Sequence, residues 1–126
     1  MRLVVGVGGA SGQPYAERVL RFLSDHRDAL DLDVHVVFSP MGRLCWNDEV
    51  GVDPTSFGFP LYGPKDMTAP FASGSARFDA MVVVPCSMKT LAGIANGYSS
   101  NLIERSADVT LKERRTLVIV PRETPL

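Results

Sequence analysis

A chain of 126 residues is long enough for one domain with a real core and too short for two comfortable ones. Apolar residues make up 45% and charged residues 21%, and thirteen Lys and Arg against fourteen Asp and Glu leave a formal charge of −1. That balance excludes the clustered basic surface that nucleic acid or an acidic membrane would need, and apolar runs such as Ala80 to Pro85 are far too short to cross a bilayer.

In chain order, Arg2 to Val7 (RLVVGV) predicts a buried strand that enters the glycine-rich turn Gly8-Gly9-Ala10-Ser11-Gly12. One basic residue followed so soon by glycines does not make a secretory signal, so a cytoplasmic location is expected. From Pro14 to Leu23, Tyr15, Val19, Leu20, Phe22 and Leu23 recur near a 3.6 period and predict a helix, with Pro14 in its first turn. Asp33 to Ser39 (DVHVVFS) predicts the second strand. Val52 to Ser75, with four prolines and three glycines, predicts a long and mostly irregular loop.

Asp79 to Pro85 (DAMVVVP) predicts the third strand, and Met88 to Ala95 and Leu102 to Lys112 predict helices, the latter after possible caps at Ser99, Ser100 and Asn101. Thr116 to Pro121 (TLVIVP) predicts the fourth strand. Nearly unbroken Val and Ile marks strands covered on both faces. Strands alternating with helices imply an α/β fold, a Rossmann-like, doubly wound parallel sheet. Cys45 and Cys86 form no metal-ligand pair and read as two buried structural thiols, with no metal expected.

In such a sheet ligands bind beyond the carboxyl ends of the strands. Here those ends carry residues 8–12, Ser39-Pro40, the stretch Ser87-Met88-Lys89-Thr90 after Pro85, and Arg122-Glu123 within the turn from Pro121 to Pro125. Small residues and hydroxyls followed by helix starts suit a phosphate, although Ser39, Ser87 and Thr90 also read as ordinary helix caps. Arg122 can hold a phosphate through two parallel hydrogen bonds, and Glu123 is a candidate acid or base. A dinucleotide site wants an acidic residue at the end of the second strand, where Ser39-Pro40 stands instead, so a mononucleotide is the better match. Glu104, Arg105, Asp108, Lys112 and Glu113 read as a solvated, salt-bridged helix face.

Several stretches together resemble one known family. They are Gly9-Ala10-Ser11-Gly12, Ala72-Ser73-Gly74-Ser75, the run from Val83 to Leu91, Asn101-Leu102-Ile103-Glu104-Arg105, the run from Ala107 to Arg115, and the run from Val120 to Leu126. In order and spacing they resemble the flavin prenyltransferases (UbiX-type), formerly described as aromatic or phenylacrylic acid decarboxylases. The resemblance implies a flavodoxin-like, HFCD-type flavoprotein that joins a dimethylallyl group, from dimethylallyl phosphate, to N5 and C6 of reduced FMN. The prenylated FMN would serve a UbiD-type decarboxylase, as in ubiquinone biosynthesis. The family implies no metal and a homo-oligomer, a dodecamer when intact.

By matching motif, Gly9, Ala10, Ser11, Ser39, Ser87, Met88, Lys89, Thr90 and Arg122 are expected to contact FMN. Ser11, Glu49 and Glu123 are expected to handle protons, and Arg105, Lys112 and Arg122 to meet the substrate phosphate, in part across a subunit boundary. Two departures stand out. Gly8 replaces a threonine common in relatives, a change expected to be minor. The 126 residues, read as a single FMN-binding domain, also lack the further helix, strand and tail usual in the family, which supply a tyrosine and an arginine to the prenyl phosphate. An FMN-binding or oligomer-forming module without prenyl transfer is therefore the alternative expectation.

Overall fold

The computed structural model describes residues 1–123, so Thr124, Pro125 and Leu126 of the last motif lie outside the described residues. Five parallel strands form one sheet in the order β3-β2-β1-β4-β5. They are β1 (Arg2–Val7), β2 (Asp33–Phe38), β3 (Leu61–Tyr62), β4 (Ala80–Ser87) and β5 (Thr116–Arg122). Helices α1 (Gln13–Asp25) and α2 (Pro40–Glu49) cover one face, and α3 (Met88–Ala95) and α4 (Leu102–Lys112) the other. The expected doubly wound α/β sheet is the observed one.

Strand alternation explains the two layers. Val4, Met81 and Val83 point to a core shared with Ile94, Leu102, Ile103 and Ala107, while Val5, Val7 and Val36 point to one shared with Ala16, Leu20 and Trp46. Winding reverses between β1 and β4, which opens a crevice at their carboxyl ends. Ile103 packs over Gly6 near the carboxyl end of β1, and Thr110 lies against Met81 near the amino end of β4. Helix α4 thus runs from the carboxyl rim of the sheet to its amino edge.

Some expectations need correction. Helix α2 had no predicted counterpart, although Ser39 caps it and Pro40 occupies its first turn. The stretch from Val52 to Ser75 is mostly irregular, as expected, but it is packed: it holds β3 and two short 3-10 turns, and it buries Phe57, Phe59 and Phe71. Strand β5 is not covered on both faces, since Val118 is 48% and Val120 37% exposed. As the edge strand it receives the α3–α4 layer on Leu117 and Ile119 only. Cys45 is half-buried; Cys86 is fully buried, and burial pushes its thiol up to about 11.

Candidate functional site

The glycine-rich turn after β1 is fastened on three sides. Beyond Val83 the β4 backbone shifts register, and the Pro85 carbonyl accepts from the Gly8 N–H at 3.1 Å. A Cβ at Gly8 would stand 2.6 Å from that oxygen, so the replacement of threonine by glycine is not minor in this backbone. Gln13, with no exposed surface, donates from Nε2 to the carbonyls of Gly8 and Ala10, both at 2.9 Å. Gly12 adopts φ 106° at the start of α1 and has no side chain to cap it. Glu49 supplies the cap from the end of α2, its Oε1 accepting from the Gly12 and Gln13 N–H groups at 3.0 and 3.1 Å. Ser11 is exposed on this turn, immediately before the Gly12 N–H that Glu49 accepts from.

Three more helix N-termini converge on a cavity of about 450 Å³ next to Gly9. Helix α2 presents Ser39, Pro40 and Met41; α3 presents Ser87, Lys89 and Thr90; α4 presents Ser100, Asn101 and Glu104. The Ser39 Oγ accepts from the Gly42 N–H at 2.9 Å. The Ser87 Oγ accepts from the Thr90 N–H at 3.2 Å and donates to the Thr90 Oγ1 at 3.1 Å. At α4 the Asn101 Oδ1 accepts from the Glu104 N–H at 2.9 Å, and the Glu104 Oε1 accepts from the Ser100 N–H at 3.0 Å and from its hydroxyl. Glu104 is only 7% exposed, so its place on a solvated face is corrected. The spacing Asn101-x-x-Glu104, a capping-box pattern, is the signal that would have found it. Nothing comparable in the sequence flagged Gln13.

The four helix ends at this rim therefore differ in charge. Carboxylates already sit on the ends of α1 (Glu49) and α4 (Glu104). Only neutral hydroxyls cap α2 and α3. First-turn amides have no acceptor within their own helix, and a helix N-terminus carries about half a positive charge. The uncompensated field thus lies between Ser39 and residues 87–90, which is where an anion gains most.

A second cavity, of about 240 Å³, lies on the other side of the turn and is lined by Gly12, Tyr15, Pro85, Val120, Pro121 and Arg122. Arg122 is half-buried there, with Glu123 exposed beside it. Ser39, Ser87, Lys89, Thr90 and Gly9 meet in the first cavity, while Arg122 belongs to the second. Met88, Ala10 and Ser11 follow or precede lining residues in the chain. Arg105 and Lys112 stand apart from both cavities. They flank Asp108 at 3.9 and 3.1 Å, and the Arg105 Nε donates to the Ala72 carbonyl at 2.8 Å. Lys112 lies eleven positions along the chain from Asn101, about 16 Å at 1.5 Å per residue, so it sits at the opposite edge from its own chain's rim. Among the described residues no group of three or more His, Cys, Asp or Glu is placed to hold a metal, and no helix is long and apolar enough to cross a membrane.

A doubly wound sheet whose crevice gathers hydroxyl-capped helix ends is an arrangement common to proteins that hold phosphate-bearing ligands. The Flavoprotein family model matches residues 1–124. The flavin prenyltransferase LpdB of Lactiplantibacillus plantarum is 48% identical over 130 residues, covering 99% of this chain and 67% of that protein. A dodecameric FMN-dependent UbiX-like decarboxylase from Escherichia coli O157:H7 superposes with a TM-score of 0.93 at 41% identity, over 100% of this chain and 68% of that one. AnUbiX, solved in complex with FMN and dimethylallyl pyrophosphate, gives 0.89 at 43% identity over 99% and 66%. The chain belongs to the flavoprotein family and, within it, to the UbiX-type flavin prenyltransferases. It spans 63–68% of the length of the curated relatives it matches.

Proposed function

We propose that residues 1–126 form the FMN-binding domain of a cytoplasmic flavin prenyltransferase, which joins a dimethylallyl group from dimethylallyl phosphate to reduced FMN. The observation that carries the reading is the pair of neutrally capped helix ends, α2 and α3, facing one cavity of about 450 Å³. A volume within the usual ligand-pocket range, with hydroxyls and free first-turn amides at one end, fits a flavin mononucleotide. Gly9, Ala10, Ser11, Ser39, residues 87–90 and Arg122 would hold it.

Reduced FMN, when bound, supplies the nucleophilic N5 and C6 positions. In this reading Ser11 would relay the proton from N5 towards the Glu49 carboxylate, which accepts from the Gly12 and Gln13 N–H groups of the same turn. Glu123 serves the proton at C6. A positioned acid or base of this kind contributes on the order of 10²–10⁴ in rate. Arg122 and, from a neighbouring copy, Arg105 and Lys112 receive the charge that develops on the departing phosphate. The distance of Lys112 from its own rim favours service to a second subunit, and the E. coli relative is a dodecamer. The product would pass to a UbiD-type decarboxylase.

Mass spectrometry after anaerobic incubation with reduced FMN and dimethylallyl phosphate tests the reading. Flavin carrying an added five-carbon unit is expected. Tight FMN binding without that product would reduce the chain to a flavin-binding module, and no affinity for FMN would overturn the reading altogether.

A further inference from the structure

Within the cavity the Glu104 carboxylate is the one acidic side chain among the described lining residues, and it faces a ligand that the reading above makes anionic. Both of its hydrogen-bonded partners are donors, the Ser100 amide and hydroxyl. Its second oxygen packs against Gly93 of α3 so closely that a Cβ there would stand 2.3 Å away. One carboxylate oxygen is thus held by Ser100 and the other lies against α3. The carboxylate also occupies the amino end of α4, cancelling the third helix end that would otherwise attract an anion.

We infer that Glu104 is a specificity-determining residue that confines the cavity's anion site to the α2–α3 side and so limits how tightly a phosphate group is held there. This rests on the flavin reading of the cavity. A fixed negative charge on the wall opposes a phosphate dianion while leaving a neutral ligand untouched. The cavity then accepts one phosphate group, seated against Ser39, Ser87 and Thr90, and discourages a second on the α4 side. A loose grip on FMN suits a protein for which the flavin is a substrate to be released and not a resident cofactor.

Glu104→Gln separates charge from shape, because the amide oxygen can still accept from both Ser100 donors. Titration of flavin fluorescence with FMN and with riboflavin reads the two effects apart. Glu104→Gln is expected to tighten FMN binding by about two- to fivefold, the range for one charge near a helix end, and to leave riboflavin binding unchanged. Equal weakening of both flavins would mean that Glu104 merely braces the α3–α4 turn, and an unchanged FMN-to-riboflavin ratio would equally overturn the inference. Should Glu104→Gln fail to fold, Glu104→Leu with Ser100→Ala carries the same test, since removing both partners leaves fewer unpaired groups than removing one. If the unaltered protein binds riboflavin but gains nothing from the phosphate of FMN, the inference fails while flavin binding stands. If it binds neither, the flavin reading itself has failed.

Discussion

At the amino edge of the sheet, Arg2 Nε meets the Asp33 carboxylate at 2.7 Å, the Arg2 N–H meets Asp79 at 2.7 Å, and the Arg115 guanidinium lies 4.5 Å from the centre of the Phe78 ring. At the carboxyl rim, Ser39 and Ser87 each hold a single helix amide through Oγ, and two cavities open between the helix starts. Both edges are rich in polar groups. At the first, charged side chains consume one another, so the edge is closed. At the second, neutral hydroxyls cap α2 and α3 and satisfy only part of those two helix ends, which leaves donors there without a partner in their own helix. Where the partners are charged and paired, an edge stabilises the fold; where they are neutral and too few, it becomes a site.

The comparison is broken most severely by filling the rim. Gly42, in the first turn of α2, lies so close to β1 that a Cβ would stand 2.3 Å from the Val7 carbonyl and 3.1 Å from that of Gly8. Neither neighbour is a flexible side chain. Gly42→Ala is expected to cost about 1–3 kcal/mol, the range for overpacking, and to push Ser39 away from α3, so thermal unfolding and FMN titration should both deteriorate. Preserved melting temperature and affinity would show that the rim has slack.

A smaller change sharpens the contrast. Ser87→Ala removes the cap of α3 and one hydroxyl from the cavity, with an expected stability loss of about 1 kcal/mol. If Ser87 also meets the phosphate, FMN binding should weaken by about tenfold while riboflavin binding changes little. Equal loss for both flavins would confine Ser87 to the cap.

Helices α3 and α4 have the bounds that their apolar spacing predicts, and β1 likewise, because a single packed face imposes its period on the sequence. Helix α2 escaped notice because Gly42 and Trp46 are its only buried residues, leaving no stripe to read, although Ser39-Pro40 was a start signal. The Val and Ile of β5 look the same in sequence whether the strand is central or at an edge; neighbours decide that. The hydroxyl caps of the rim were legible as residue types at strand ends. The burial of Glu104 was not, since a carboxylate among Arg105, Asp108 and Lys112 reads as surface until its contact with Ser100 and Gly93 is seen. Nor does spacing alone say that Lys112 lies at the far end from its own cavity, which needs the direction of α4.

The amino edge makes the opposite claim, that its charges serve stability alone. Burial by itself would raise the Asp33 carboxyl, but the Arg2 hydrogen bond, the nearby His35 and the Arg2 charge together hold it below the ordinary carboxylate range. His35 Nε2 lies 3.1 Å from Asp33 Oδ1, on the same carboxylate that Arg2 holds. A carboxyl lowered in the folded state stabilises fully above its unfolded value, about 4, and loses that contribution as pH falls through the folded value. With both side chains about half exposed (45% and 50%), solvent leaves the pair only a few tenths of a kcal/mol. Asp33→Asn should therefore melt slightly below the unaltered protein at pH 7, and the gap should close on acidification below about pH 4. FMN affinity should not move, because Asp33 lies at the edge of the sheet opposite the cavity. A changed affinity would mean that the two edges are coupled through β2, and the division between a closed edge and an open one would no longer hold.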